Sequence, residues 1–241
     1  MNNKLIFCFT YAGGTAQFYD PIGKCLEKKN MEVVKLEYSG HGKRYKEPLL
    51  VTFEETAEDL YQIILKDYGD RLKAASCEYA LMGYSMGSMA VIEVLKLILR
   101  RKEILEPVHI FLGAHEPKTK DRILNVPEDE MNEYVKKRTV DFGGIPEKLL
   151  NNQSFWRMYL PLYRADYLMI AGYNFENLMF RTEIPATIFY SETDTKLEDM
   201  KHWKDYFLKE CEFIPYAGKH FFINEHYREM ATVIESRLEN L

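Results

Sequence analysis

The sequence predicts an α/β fold: a mostly parallel central sheet flanked by helices, with a helical insertion. Three observations carry this. Apolar runs alternate with amphipathic segments along most of the chain, as in a parallel sheet with crossover helices. Gly83-Tyr84-Ser85-Met86-Gly87 reads G-x-S-x-G, with a strand-like run before it and a helix-like run after it. The alternation breaks between Pro117 and Glu183 and resumes at Ile184-Pro185-Ala186.

The elements follow from these patterns. The apolar runs predict strands over Leu5–Thr10, Glu32–Glu37, Glu78–Met82, Val108–Leu112, Ala186–Tyr190 and Glu212–Pro215. Between and after them, helices are expected over Phe18–Lys29, Phe53–Asp67, Met86–Arg101, Leu197–Lys209 and His226–Glu239. In the second of these, Ala57, Leu60, Ile64 and Tyr68 fall at helical spacing. Thr52 stands where an N-cap is needed, with Glu55 three residues on. The interruption is rich in aromatics and Met, carries Gly143-Gly144, and shows no strong strand. It reads as short helices over Glu128–Lys137, Glu147–Asn151, Gln153–Met158 and Leu162–Asn174. One domain over 1–241 is expected, with 117–183 a helical lid at the carboxyl edge of the sheet, where such folds bind ligands.

Composition narrows the function classes. The 241 residues are 46% hydrophobic, enough for one sizeable core. A net charge of −5 gives no reason to expect nucleic acid as a partner. The apolar run Leu5–Phe9 is too short for a signal peptide, and no stretch has the length of a membrane span. Cys8, Cys25, Cys77 and Cys211 are scattered, with no C-x-x-C, which suits a reducing cytoplasm. No metal or cofactor is expected.

The chemistry centres on Ser85. A sharp strand-to-helix turn strains its backbone, pushes Oγ outward, and requires small residues at Gly83 and Gly87. A serine hydroxyl needs a general base, and on this fold the partners follow in the order Ser, acid, His. Of the six histidines, His41 precedes Ser85. His109 lies in a predicted strand, His202 on a helix, and His226 near the start of the last helix. His220 follows the last strand, at the same edge as Ser85, and is the expected base. Asp194, after the strand Ala186–Tyr190, is the expected acid. Glu192 and Glu116 are its rivals. The oxyanion hole needs two backbone N–H groups. Met86 supplies one. The loop Thr10-Tyr11-Ala12-Gly13-Gly14-Thr15 supplies the other, through Ala12 or Tyr11.

These residues resemble the stand-alone, type II thioesterases of nonribosomal peptide and polyketide synthases, members of the α/β-hydrolase superfamily. Tyr11-Ala12-Gly13-Gly14 is similar to that family's A-G-G loop, and Tyr38-Ser39-Gly40-His41-Gly42 to its P-G-[HR]-G segment, without the proline. Gly83–Gly87, including Met86, matches its elbow. Leu160-Pro161-Leu162-Tyr163-Arg164-Ala165-Asp166 resembles its most distinctive lid segment, and Gly218-x-His220-Phe221 its histidine motif. The resemblance favours Asp194 over Glu116.

It implies a monomeric hydrolase that cleaves acyl thioesters from the phosphopantetheine arm of carrier proteins. Tyr11, Gly13 and Phe221 are expected to contact substrate. Met131, Tyr134, Phe142, Phe155, Met158 and Tyr159 are candidates to line an acyl pocket, and Arg164 is expected to pair with Asp166. Lys43-Arg44-Tyr45-Lys46 and Lys136-Lys137-Arg138 are candidate docking patches for an acidic carrier protein. A carboxylesterase or lipase, and a non-catalytic carrier-protein-binding module, remain the alternatives.

Overall fold

Residues 4–117 and 125–239 are described by the computed structural model. The six expected strands form one sheet: β1 (Lys4–Phe9), β2 (Met31–Lys35), β3 (Tyr79–Tyr84), β4 (His109–Gly113), β5 (Ala186–Tyr190) and β6 (Cys211–Pro215). Their spatial order is β2-β1-β3-β4-β5-β6, and every neighbouring pair is parallel. All six carboxyl ends therefore lie at one edge. The loops after β1, β3, β5 and β6 converge there.

Helices cover both faces. Along β1, Leu5, Phe7 and Phe9 enter one core and Ile6 and Cys8 the other, the two-residue alternation of a strand buried on both sides. The first core packs under α2 (Phe53–Leu72) and α3 (Met86–Arg101), the second under α1 (Asp20–Leu26) and α8 (Ile223–Glu239). Thr52 caps α2 by accepting from the Glu55 N–H at 3.2 Å, and its hydroxyl donates to the Glu55 carboxylate at 3.0 Å.

Several boundaries differ from expectation, for local reasons. The first predicted helix is α1 between two 3₁₀ turns, Ala16–Tyr19 and Glu27–Lys29. The helix expected over Leu197–Lys209 stops early: α7 spans Leu197–Met200 and a 3₁₀ turn follows over Lys201–Asp205. That turn buries Trp203, whose Nε1 donates to the His115 carbonyl at 2.8 Å. Phe207 then pairs with Thr182 in an isolated parallel bridge.

Between β4 and β5 the insertion carries α4 (Met131–Phe142), α5 (Glu147–Leu150) and α6 (Gln153–Gly172). Residues 118–124 of the expected 117–183 lie outside the described residues. The two helices expected on either side of Pro161 are one, α6. Pro161 removes a single helical donor. Burial of Trp156 before it and of Leu162, Tyr163 and Asp166 after it keeps one helix in register.

Candidate active site

Ser85 joins β3 to α3 at φ 54° and ψ −118°, a strained conformation for a residue with a side chain. Close packing enforces it. A Cβ at Gly83 would lie 2.3 Å from the Gly87 carbonyl oxygen, and one at Gly87 would lie 2.0 Å from that of Phe9. The turn is also braced from β4. The Ser85 N–H donates to the Gly113 carbonyl at 2.7 Å, and the Ser88 hydroxyl donates to the same oxygen at 3.1 Å. Motif reading passed over Ser88. Its signal is a hydroxyl in the first turn of α3, three residues after Ser85, on the side of the helix that is buried.

His220 and Asp194 meet Ser85 at this edge. His220 Nε2 lies 3.0 Å from Ser85 Oγ, and Nδ1 lies 2.9 and 3.1 Å from the two Asp194 oxygens. A carboxylate only accepts, so Nδ1 carries the proton and Nε2 is left to accept from the serine. The supporting loops are tied together. The Tyr84 hydroxyl donates to the His220 carbonyl at 2.5 Å. Ser191 and Thr193, in the turn before Asp194, both donate to the Gly218 carbonyl. Phe142 from α4 lies over His220, ring centres 4.7 Å apart.

The rival acids are placed elsewhere. Glu192 accepts from the Leu197 N–H at 3.4 Å, at the start of α7. Glu116 lines the cavity beside Ser85 and accepts from Thr195 Oγ1 at 3.3 Å. Among the other histidines, His109 bonds Thr187 at 2.9 Å inside the sheet, and burial pushes its pKa down to about 4. His202 faces Asp205 on the surface, and His226 meets the Ala217 carbonyl. His115 lines the cavity, where burial holds its imidazole below the usual range.

Met86 is the first residue of α3, so its N–H belongs to the helix turn that has no intrahelical acceptor. Tyr11 and Ala12 line the cavity alongside Ser85, and Phe221 packs edge-on against Tyr11 at 4.8 Å. Gly13 differs from expectation. It stays outside the cavity wall, and its N–H donates to Asp166 Oδ2 at 2.6 Å. A Cβ there would fall 1.9 Å from the Tyr163 ring.

The cavity has a volume of about 440 Å³. Its roof comes from Tyr134, Arg138, Thr139 and Phe142 of α4, and Tyr163, Tyr167 and Ile170 of α6. Of the expected lining residues, Tyr134 and Phe142 are present. Met131 is buried in the core, Met158 is 72% exposed, and Phe155 stacks on Tyr159 away from the wall. Arg138, read as part of a surface run, turns inward against the Phe142 and Tyr167 rings. Its neighbours Lys136 and Lys137 engage the Trp156 ring and Asp141. In the other basic run, Arg44 is held by Asp59 and Glu47. The expected Arg164–Asp166 pair does not form. Arg164 reaches Glu128 at 2.6 Å, whereas Asp166 faces inward to Gly13 and to His41 at 3.0 Å. The two residues are adjacent-but-one on α6, about 200° apart around the helix, so they point to opposite sides. Among the described residues, no group of three or more His, Cys, Asp or Glu could hold a metal, and no helix is long and apolar enough to cross a membrane.

The chain is 28% identical to the medium-chain S-acyl fatty acid synthase thioesterase of Rattus norvegicus, over 91% of this chain and 81% of that one. It is 27% identical to the gramicidin S biosynthesis protein GrsT of Aneurinibacillus migulanus, over 93% and 85%. Among solved structures, ClbQ from the colibactin NRPS/PKS pathway superposes with a TM-score of 0.85 at 23% identity, covering 99% of this chain and 98% of that one. RedJ, the thioesterase of the prodiginine pathway in Streptomyces coelicolor, gives 0.82 at 23%, covering 98% and 90%. These likenesses show the α/β-hydrolase fold. A family model for the thioesterase domain matches residues 4–238, so the chain belongs to the thioesterase family and is a hydrolase acting on thioesters.

Proposed function

We propose that this chain is a type II thioesterase that hydrolyses acyl groups from the phosphopantetheine arm of carrier proteins in nonribosomal peptide or polyketide biosynthesis. Ser85, His220 and Asp194 carry the reaction. The observation that most supports this is His220, bridging Ser85 Oγ at 3.0 Å and Asp194 Oδ2 at 2.9 Å. The biosynthetic roles printed for GrsT, ClbQ and RedJ support the carrier-protein substrate.

The steps follow from that geometry. Ser85 Oγ attacks the thioester carbonyl as His220 Nε2 takes its proton. Negative charge on the carbonyl oxygen is met by the N–H groups of Met86 and Ala12. Asp194 holds the ring tautomer and stabilises the imidazolium. The carbon–sulfur bond breaks, and the departing sulfur receives the proton from His220. Water then gives a proton to His220 and attacks the acyl-serine, releasing the acid and restoring Ser85 Oγ–H. Tyr11 and Phe221 border the acyl group, and the insertion acts as a lid over it. In this reading the enzyme works as a monomer in the cytoplasm, where the four free cysteines stay reduced.

Two comparisons test the proposal. Ser85→Ala should lower hydrolysis of acetyl-loaded carrier protein by more than about a thousandfold. Retained turnover would remove Ser85 as nucleophile. Wild type should also prefer that substrate to a matched p-nitrophenyl ester. A strong preference for the free ester would overturn the carrier-protein assignment.

A further inference from the structure

Asp166 is buried, charged and outside the Ser–His–Asp chain. It lies on α6 and reaches across to the loop after β1, where its Oδ2 accepts from the Gly13 N–H at 2.6 Å. The same oxygen meets His41 Nε2 at 3.0 Å, and His41 Nδ1 meets the Ser39 carbonyl at 3.0 Å. Only 3% of the His41 side chain and 2% of the Asp166 side chain are exposed. Both ring nitrogens of His41 face acceptors, an arrangement that only the imidazolium fully satisfies. Burial opposes that charge, but the Asp166 carboxylate, with the Ser39 carbonyl and Glu37, outweighs it and raises the His41 pKa. Tyr38 packs against the ring, its own hydroxyl donating to the Thr10 carbonyl at 2.9 Å.

A buried ion pair is a weak source of stability, because two charges must be desolvated to make it. This pair does something an apolar pair could not. It presents a fixed anionic acceptor to one particular N–H, that of Gly13. The loop geometry gives that contact a purpose. The Gly14 N–H donates to the Tyr11 carbonyl at 2.9 Å, which turns that carbonyl into the bend. In a planar trans peptide the N–H points opposite to the C=O. The Ala12 N–H is therefore aimed out of the bend, and the two residues that share this peptide, Tyr11 and Ala12, both line the cavity beside Ser85. Asp166 fixes the next peptide plane through Gly13, whose φ of +75° is open to it because glycine has no Cβ.

We propose that Asp166 and His41 are positioning residues for the oxyanion hole. Asp166 locks the Ala12–Gly13 peptide so that the preceding N–H stays aimed at the developing oxyanion. His41 cancels the carboxylate charge, which would otherwise repel that oxyanion. The tether also joins the insertion to the catalytic edge, since α6 supplies Asp166 and the Tyr163 ring that closes over Gly13. This inference rests on the reading of Ser85 as nucleophile and Ala12 as an oxyanion donor.

The test compares full-length Asp166→Ala, Asp166→Asn and His41→Gln with wild type on acetyl-loaded carrier protein. Rates are corrected for active enzyme by serine titration. A boronic acid supplies a second readout, because its serine adduct places an oxygen in the oxyanion hole. Asp166→Ala should lower kcat by about thirtyfold and raise the boronate Ki in proportion, with KM within about threefold. Asp166→Asn, whose amide oxygen can still accept from Gly13, should recover part of that loss. An unchanged kcat and Ki in Asp166→Ala, with only a lower melting temperature, overturns the proposal. Should Asp166→Ala not fold, His41→Gln decides. It leaves the carboxylate in place without its countercharge and should cost about tenfold in kcat with a parallel rise in Ki. Unchanged values there overturn the proposal equally. Ser85→Ala separates the two levels: its retained activity would sink the serine mechanism, whereas its inactivity beside a fully active Asp166→Ala sinks only the tether.

Discussion

The carboxyl edge of the sheet and the insertion above it meet at one cavity but are built on different terms. At the sheet edge, backbone approaches backbone. A Cβ at Gly87 would lie 2.0 Å from the Phe9 carbonyl and 2.7 Å from that of Thr10. In the insertion, an added Cβ at Gly143 or Gly172 would meet nothing within 4 Å beyond its own chain neighbours and helix, although one at Gly144 would meet the Phe221 ring at 2.6 Å. The edge is fixed by backbone approaching backbone and short backbone ties, the insertion by side-chain packing, which is tight where Tyr163 meets Gly13 and Phe221 meets Gly144 and open at Gly143 and Gly172. On the proposed mechanism the reacting groups sit on the first, while the roof of the cavity comes from the second. On the proposed mechanism, roof residues away from the Asp166 tether could change the acyl group accepted without disturbing the chemistry.

The sharpest way to break this comparison is at the acid. Asp194→Asn should lower kcat by about 10⁴-fold, since an amide would stabilise the wrong imidazole tautomer. Glu116→Gln should change it only a few-fold, because Glu116 bonds Thr195 and not His220. Steady-state rates on one acyl-loaded carrier protein check both. An equal loss from the two variants would mean that the acid is shared between β4 and β5. The next effect is on stability. Gly87→Ala should destabilise the fold by about 3 kcal/mol, because the β1 carbonyls it meets cannot rotate away. Gly172→Ala, at the open end of α6, should be neutral or stabilising by up to about 1 kcal/mol. Urea unfolding of the pair measures the contrast.

The same contrast explains what could be read in advance. Gly83, Ser85 and Gly87 were legible because the turn excludes other residues, so its requirement is written locally. The order of Ser85, Asp194 and His220 was legible because strands follow one another through a parallel sheet. The cavity roof was not. Met131, Tyr134, Phe142 and Met158 lie in similar aromatic- and Met-rich sequence, yet only Tyr134 and Phe142 reach the cavity. Helical periodicity shows which face is apolar, not which neighbour that face meets. Pro161 looked like a boundary, but burial on both sides kept α6 continuous. His41 and Asp166 were out of reach for the same reason. Their contact spans 125 residues, and neither side chain carries a local signature of its partner.

The sheet also predicts a pH response. His109 lies between the strands with its pKa lowered to about 4, chiefly by burial and then by the charge of Arg237. The unfolded chain takes up this proton near pH 6.5, while the folded chain resists until about pH 4. The unfolded state thus binds more protons across that interval, and stability falls as pH drops through it. The loss due to this residue should reach up to about 3 kcal/mol at the acid end. His109→Gln, which keeps a partner for Thr187, should flatten the slope of unfolding free energy between pH 6.5 and 4. An unaltered slope would place the acid sensitivity elsewhere.

The smallest expected effect is in the insertion, and it bears most directly on the division between chemistry and selection. Phe142 covers His220 and forms part of the roof, so a shorter side chain there enlarges the acyl space. Phe142→Leu should shift the ratio of kcat/KM between a medium-chain and an acetyl-loaded carrier protein by about tenfold toward the longer chain. That is the range set by one or two methylenes of apolar contact. Asp194 and Ser85 keep their contacts with His220, so the rate on the acetyl substrate should stay within about threefold of wild type. A uniform fall on both substrates would mean that the Phe142 ring orients the histidine. In that case Phe142, like Asp166, would position a catalytic group, and the division between chemistry and selection would run through the insertion itself.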